Sequence, residues 1–163
     1  MGKAIFLCGF MGAGKSSVGR ALAKALHCPL LDTDDLITEE YGPIPHIFAE
    51  KGEAYFRQLE AQLAQKLSNE SDVVIATGGG FGLSEAVQEA LKGCQIVYLD
   101  VPFEVCWKRI RFSDRPLVRA NSKEQLSELY KKRAMIYHAV STIPISNHGD
   151  IKKTVAEIIE KCE

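Results

Sequence analysis

Gly9-Phe10-Met11-Gly12-Ala13-Gly14-Lys15-Ser16 has the spacing G-x-x-x-x-G-K-S and directly follows the apolar run Ala4–Cys8. Residues of these types in this order can hold a nucleoside triphosphate. The glycines let the backbone curl with its N–H groups turned inward, where a Cβ would obstruct the turn. The Lys15 ammonium can reach the β- and γ-phosphates, and the Ser16 hydroxyl can ligate Mg²⁺. Ser17 to Leu26 favours a helix, whose positive N-terminal end would face the same phosphates. The bland alternative is a glycine-rich turn with no ligand. The complete octapeptide, its lysine and the strand before it speak against that.

Other chemistry-bearing residues follow at intervals. Asp32 and Asp34 flank Thr33 at the end of Pro29-Leu30-Leu31, and alternate positions leaving a strand diverge. One carboxylate can look back to a metal beside Ser16 and the other forward to an acceptor hydroxyl, the two roles that phosphoryl transfer requires. Capping of the next helix is the competing role, the one expected of Asp35. Asp100 is a weaker metal candidate that ends the run Gln95–Leu99. Gly78-Gly79-Gly80 after Thr77 exceeds what a turn needs and lets bare backbone approach a ligand. Arg57 and Glu60 are spaced for a surface ion pair on a helix, although Phe56 beside them is compatible with partial burial. Lys108, Arg109, Arg111 and Arg115 form a basic cluster in a polar, irregular segment, suited to a mobile lid that delivers an arginine. By pattern alone Arg133 is an exposed helix residue. The four histidines (His27, His46, His138, His148) lack metal-ligand spacing and are expected to be surface or structural.

The elements that must position these residues read as an alternation. Strands are expected at Ala4–Cys8, Pro29–Asp32, Val73–Ala76, Gln95–Leu99 and Ser141–Ile145. Helices are expected at Lys15–Leu26, Asp34–Tyr41, Glu53–Ser68, Ser84–Leu91, Phe103–Arg109, Lys123–Val140 and Ile151–Lys161. Strands separated by helices imply an α/β fold with a parallel sheet covered on both faces, and ligands collect beyond the carboxyl ends of its strands. The 163 residues, 46% apolar and 25% charged, suit one domain. A net charge of −1 gives no electrostatic reason to expect nucleic acid or an anionic membrane as partner. No long apolar segment follows a charged start, so neither a signal peptide nor a membrane span is expected. Five cysteines without a C-x-x-C pair point to reduced thiols in the cytoplasm rather than a disulfide frame or zinc site.

Taken in order, the phosphate loop, Asp32-Thr33-Asp34, Gly52-Glu53-Ala54-Tyr55-Phe56-Arg57…Glu60, Thr77-Gly78-Gly79-Gly80, Arg115-Pro116-Leu117 and Arg133-Ala134-Met135-Ile136-Tyr137 resemble shikimate kinase over nearly the whole chain. The resemblance implies a three-layer α/β/α sandwich with a five-stranded parallel sheet and a mobile lid. It implies one kinase domain over 1–163, with substrate-binding helices at about 33–60 and a lid at about 111–122. The implied reaction is ATP-dependent phosphorylation of the shikimate 3-hydroxyl by a cytoplasmic monomer. Gly12, Ala13, Gly14, Lys15, Ser16 and Ser17 would hold ATP, Arg109 would lie against adenine, and Arg115 would reach the phosphates from the lid. Ser16 would bind Mg²⁺, with Asp32 assisting through water. Asp34 would orient or deprotonate the acceptor, Gly78, Gly79 and Gly80 would line it, and Arg57 and Arg133 would grip its carboxylate, with Glu60 steadying Arg57. A gluconate kinase of the same fold, or a nucleotide switch, is the alternative. The chain departs from the family pattern at Thr38, at Pro43, Pro45 and His46, and at Val118.

Overall fold

The structure, a computed structural model, describes residues 2–146 and 149–162; His148, one of the four histidines weighed above, lies outside them. Its centre is a parallel sheet of β1 (Ile5–Cys8), β2 (Leu30–Asp32), β3 (Val74–Ala76), β4 (Gln95–Leu99) and β5 (Ile143–Ile145), in the order β2-β3-β1-β4-β5. Helices cover both faces, which makes the three-layer α/β/α sandwich expected from the alternation. Side chains on β1 alternate between the layers. Ile5 and Leu7 pack with Val18 and Leu22 of α1 (Lys15–Leu26), Cys106 and Ile110 of α6 (Phe103–Ile110), and Val155 and Ile158 of α9 (Ile151–Lys161). Phe6 and Cys8 pack on the other face with Ala64 and Leu67 of α4 (Glu53–Leu67), Val87 of α5 (Glu85–Ala90) and Tyr137 of α8 (Lys123–Val140).

The strand order places the site. After β1 the chain crosses over β3 to reach β2, and after β3 it crosses over β1 to reach β4. The loops leaving these neighbours depart in opposite directions and open a crevice between them. Asp32 and Leu7 both pair with Ala76, so β2, β3 and β1 end level and deliver their loops to one edge.

Several boundaries differ from expectation by a residue or two. Ser141 is the C-cap of α8 and Ser68 the C-cap of α4, while Ser84 caps α5 by accepting from Val87 N–H. Pro29 stands outside β2 and Val73 outside β3, and α6 runs on to Ile110. α2 spans Thr33–Tyr41, with Asp32 as its cap. Among the described residues, two α-helices were not expected. α3 (Ile44–Lys51) sits between Gly42 (φ 91) and Gly52 (φ 86), backbone conformations that L side chains rarely adopt. Pro43 and Pro45 read as breakers, yet they occupy the N-cap and first turn, where no N–H is required. Ile47 of α3 is buried with Ile37, Phe56 and Leu59, each contributing about 1.5–3 kcal/mol relative to exposure. The segment expected to be irregular contains α7 (Pro116–Ala120), with Arg115 at its N-cap. Among the described residues, no helix is long and apolar enough to cross a membrane.

Candidate active site

A cleft of about 1260 Å³ runs along the carboxyl edge of β1, β2 and β3. Its wall carries Gly12 through Ser17, Asp32, Asp34, Arg57, the triglycine, Arg109, Arg115 and Arg133, while the weaker metal candidate Asp100 stands outside it. The sequence separates the residues on the wall by up to 121 positions, from Gly12 to Arg133, and the sheet gathers them.

At one end lies the phosphate loop. Gly12 (φ 80) and Gly14 (φ 97) take left-handed conformations, and a Cβ on Gly12 would stand 2.9 Å from the Cys106 carbonyl oxygen. The Lys15 ammonium donates to the Gly9 carbonyl at 2.6 Å. Burial pulls its pKa down to about 8; Asp34 and Asp32 favour its charge and Arg133 opposes it. Lys15 and Asp34 therefore belong to one electrostatic unit. The Arg109 guanidinium donates to the Gly12 carbonyl at 2.8 Å and so closes over the outside of the loop.

Asp32 accepts through Oδ1 from the N–H groups of Asp34 (2.9 Å) and Asp35 (3.1 Å). The cap expected of Asp35 is thus made by Asp32. Asp34 projects from the first turn of α2, and burial together with the Asp32 charge raises its pKa above the usual carboxylate value, against the pull of Lys15 and Arg57. Asp100 is not on the cleft wall; it pairs with His138 Nε2 at 3.3 Å.

The triglycine answers to space rather than to backbone shape, since none of its φ angles is positive. A Cβ on Gly78 would strike the Asp34 carboxylate, with Cγ at 2.8 Å. One on Gly79 would meet Arg133 Nη1 at 3.2 Å, and one on Gly80 would meet Arg57 Nη1 at 2.6 Å. Each glycine lets one charged side chain cross the loop. Two buried threonines hold the loop: Thr33 Oγ1 accepts from Gly78 N–H at 2.9 Å, and Thr77 Oγ1 donates to the Leu7 carbonyl at 2.8 Å.

Arg57 is no surface residue. Its Nη1 donates to Glu60 Oε1 at 2.6 Å and to the Gly80 carbonyl at 3.1 Å, and Glu60 is 1% exposed. Burial raises the Glu60 carboxyl, which Arg57 opposes. Arg133 also departs from its pattern: its Nε is buried without a hydrogen-bond partner. The sequence carried no local signal for this, because α8 is weakly amphipathic and only its tertiary placement turns Arg133 inward. Residue-by-residue reading also missed Ile44 and Phe48 of α3, which with Phe56 form an apolar wall of the cleft. Arrayed along one crevice are an anion loop with an ammonium, a perturbed carboxylate, and two guanidinium groups. Such a set can move a phosphoryl group onto a hydroxyl of a small acid.

Comparison with known proteins agrees with this geometry. The shikimate kinase family model matches residues 11–163. A shikimate kinase of Persephonella marina is 42% identical over 148 residues, 89% of each chain. The solved shikimate kinase of Acinetobacter baumannii in complex with shikimate superposes with a TM-score of 0.87 at 36% identity, covering 97% of this chain and 91% of that one. A gluconokinase of Sinorhizobium meliloti, at 20% identity and a TM-score of 0.62 over 97% of this chain and 90% of its own, shares the fold.

Proposed function

The chain belongs to the shikimate kinase family, and we propose that it transfers the γ-phosphoryl group of ATP to the 3-hydroxyl of shikimate. The carrying observation is the pair of guanidinium groups on one wall, Arg57 crossing Gly80 and Arg133 crossing Gly79 with a buried, unpartnered Nε. Glu60 balances the Arg57 charge, and Arg133, whose Nε has no partner, keeps a donor for a carboxylate offering two planar oxygens.

With the acid end gripped there, the ring hydroxyls fall between Asp34 and Lys15. Asp34 accepts the proton of the attacking hydroxyl, for which its raised pKa suits it. The new bond forms between that oxygen and the γ-phosphorus as the bond to the β–γ bridging oxygen breaks. Lys15 and the loop N–H groups stabilise the equatorial and leaving oxygens, and Arg115 adds its charge from the start of α7 as the lid over 111–122 closes and excludes water. Ser17 and Ala13 contribute backbone to the phosphate cradle, and Arg109 flanks the adenine. Mg²⁺, when bound, neutralises the β- and γ-oxygens. The Ser16 hydroxyl is exposed, and the Asp32 cap uses Oδ1 alone. Both are the oxygen donors that this ion takes beside phosphates and water, so they would hold it, Asp32 through water.

Helices at 33–60 serve as the acceptor grip of one kinase domain. All these groups come from one chain, which supports action as a monomer, and reduced thiols and ATP fit a cytoplasmic enzyme. The test is ADP release by purified protein with ATP, Mg²⁺ and a panel of acceptors. Turnover with shikimate is expected. Turnover with gluconate but not shikimate refutes the substrate, and ADP release independent of any acceptor refutes the kinase reading in favour of a switch.

A further inference from the structure

Two residues one turn apart on α8 hold the same glycine. The Arg133 guanidinium crosses Gly79, and the Tyr137 hydroxyl donates to the Gly79 carbonyl. Tyr137 is 1% exposed and its ring packs on Tyr98 of β4, centroids 5.4 Å apart, so the core holds the ring while the hydroxyl also meets Arg133. Three other polar groups of the loop have protein partners. Gly78 N–H donates to Thr33, the Gly78 carbonyl accepts from Phe81 N–H at 3.0 Å, and the Gly80 carbonyl accepts from Leu83 N–H at 3.2 Å and from Arg57. Among the described residues, the N–H groups of Gly79 and Gly80 have no protein acceptor, and both glycines line the cleft.

A trans peptide holds its C=O and N–H antiparallel. Holding the Gly79 carbonyl against Tyr137 therefore turns the Gly80 N–H away from the core. We infer that Tyr137 is a positioning residue for the acceptor: it sets the peptide plane between Gly79 and Gly80, and with it the direction of a backbone donor, beside Arg133, that receives an oxygen of the small acid. The inference rests on the reading of this wall as the acceptor site. A phenylalanine would keep the packing on Tyr98 but leave the carbonyl without its donor and the plane free to rotate.

The test compares Tyr137→Phe with Tyr98→Phe, a change in the same aromatic pair that does not touch the loop. In Tyr137→Phe, the KM for shikimate is expected to rise about fivefold, the loss of one ordinary hydrogen bond, while the KM for ATP stays within about twofold. Tyr98→Phe is expected to lower the unfolding midpoint and leave both KM values in place. Unchanged shikimate KM in Tyr137→Phe, or both KM values rising together, overturns the inference while leaving the substrate assignment intact. Absence of shikimate turnover by the unmodified enzyme overturns that assignment and the inference with it. Independently of any variant, titrating shikimate into ¹⁵N-glycine-labelled enzyme is expected to move the Gly80 amide signal. A Gly80 signal that stays still at saturation overturns the inference.

Discussion

Gly80→Ala separates the role of the triglycine as a passage for side chains from any role as a flexible joint. Gly80 has φ −99 and ψ 0, a conformation open to alanine, so the backbone need not move. The added Cβ would stand 2.6 Å from Nη1, 3.0 Å from Nη2 and 3.2 Å from Cζ of Arg57. Ordinary contact lies near 3.5–4.0 Å, so the guanidinium must retreat by about 1 Å. It sits at the end of a flexible stem, so the clash is relieved without backbone movement. The retreat does lengthen the bonds to Glu60 (2.6 Å) and to the Gly80 carbonyl (3.1 Å) and takes the fork off the acceptor carboxylate. A hydrogen bond to a charged group contributes about 1.5–3 kcal/mol, so the shikimate KM should rise roughly 10- to 150-fold. The assay is coupled ADP release at saturating ATP with shikimate varied, beside thermal unfolding of the same preparation. Gly82→Ala is the control, since its Cβ would find only Val140 Cγ2 at 3.9 Å. A shikimate KM unchanged in Gly80→Ala, or raised equally in Gly82→Ala, refutes the reasoning.

Three further outcomes are expected. Lys15 in the free enzyme loses its proton near pH 8, so kcat/KM for ATP should fall above that pH; the triphosphate favours the ammonium, so the falling limb of kcat should lie higher, and coincident limbs would contradict the placement of Lys15 at the phosphates. Asp32→Ala should lower stability by about 0.5–2 kcal/mol through loss of the α2 cap, whereas Asp32→Ser keeps a capping oxygen. Both should raise the Mg²⁺ concentration for half-maximal activity, and an unchanged Mg²⁺ requirement would leave Asp32 as a cap only. Arg115→Ala should lower kcat about 10²-fold or more with little change in shikimate KM; a KM effect with normal kcat would remove Arg115 from the transferring phosphate.

The local elements were legible where chemistry is local. Lys15–Leu26 reads as a helix because Ser17 to Leu26 is rich in good helix formers after the glycines, and Gln95–Leu99 reads as a buried strand because Ile96 to Leu99 is continuously apolar. α3 was illegible because its prolines stop a helix in most positions and only begin one in the first turn. That distinction depends on where Gly42 turns the chain. α7 is five residues long, shorter than any periodicity can reveal.

The site divides along the same line. The phosphate loop is a contiguous octapeptide whose function is written in its own backbone, so the sequence by itself determined that a triphosphate is held, and the strand-end positions of Asp32, Asp34 and the triglycine followed from the alternation of elements. Only the tertiary structure decided what the charges meet. Arg57 and Glu60 have the spacing of a solvated pair, and the packing of α4 against the sheet buries the carboxylate. Arg133 stands in a run of cations on α8, and the docking of that helix carries its guanidinium over Gly79. Three glycines in a row are ambiguous in one dimension, because the groups that need their missing side chains arrive from α2, α4 and α8. A residue's reach along the chain is a few positions, whereas excluded volume and burial act between whatever the fold brings into contact.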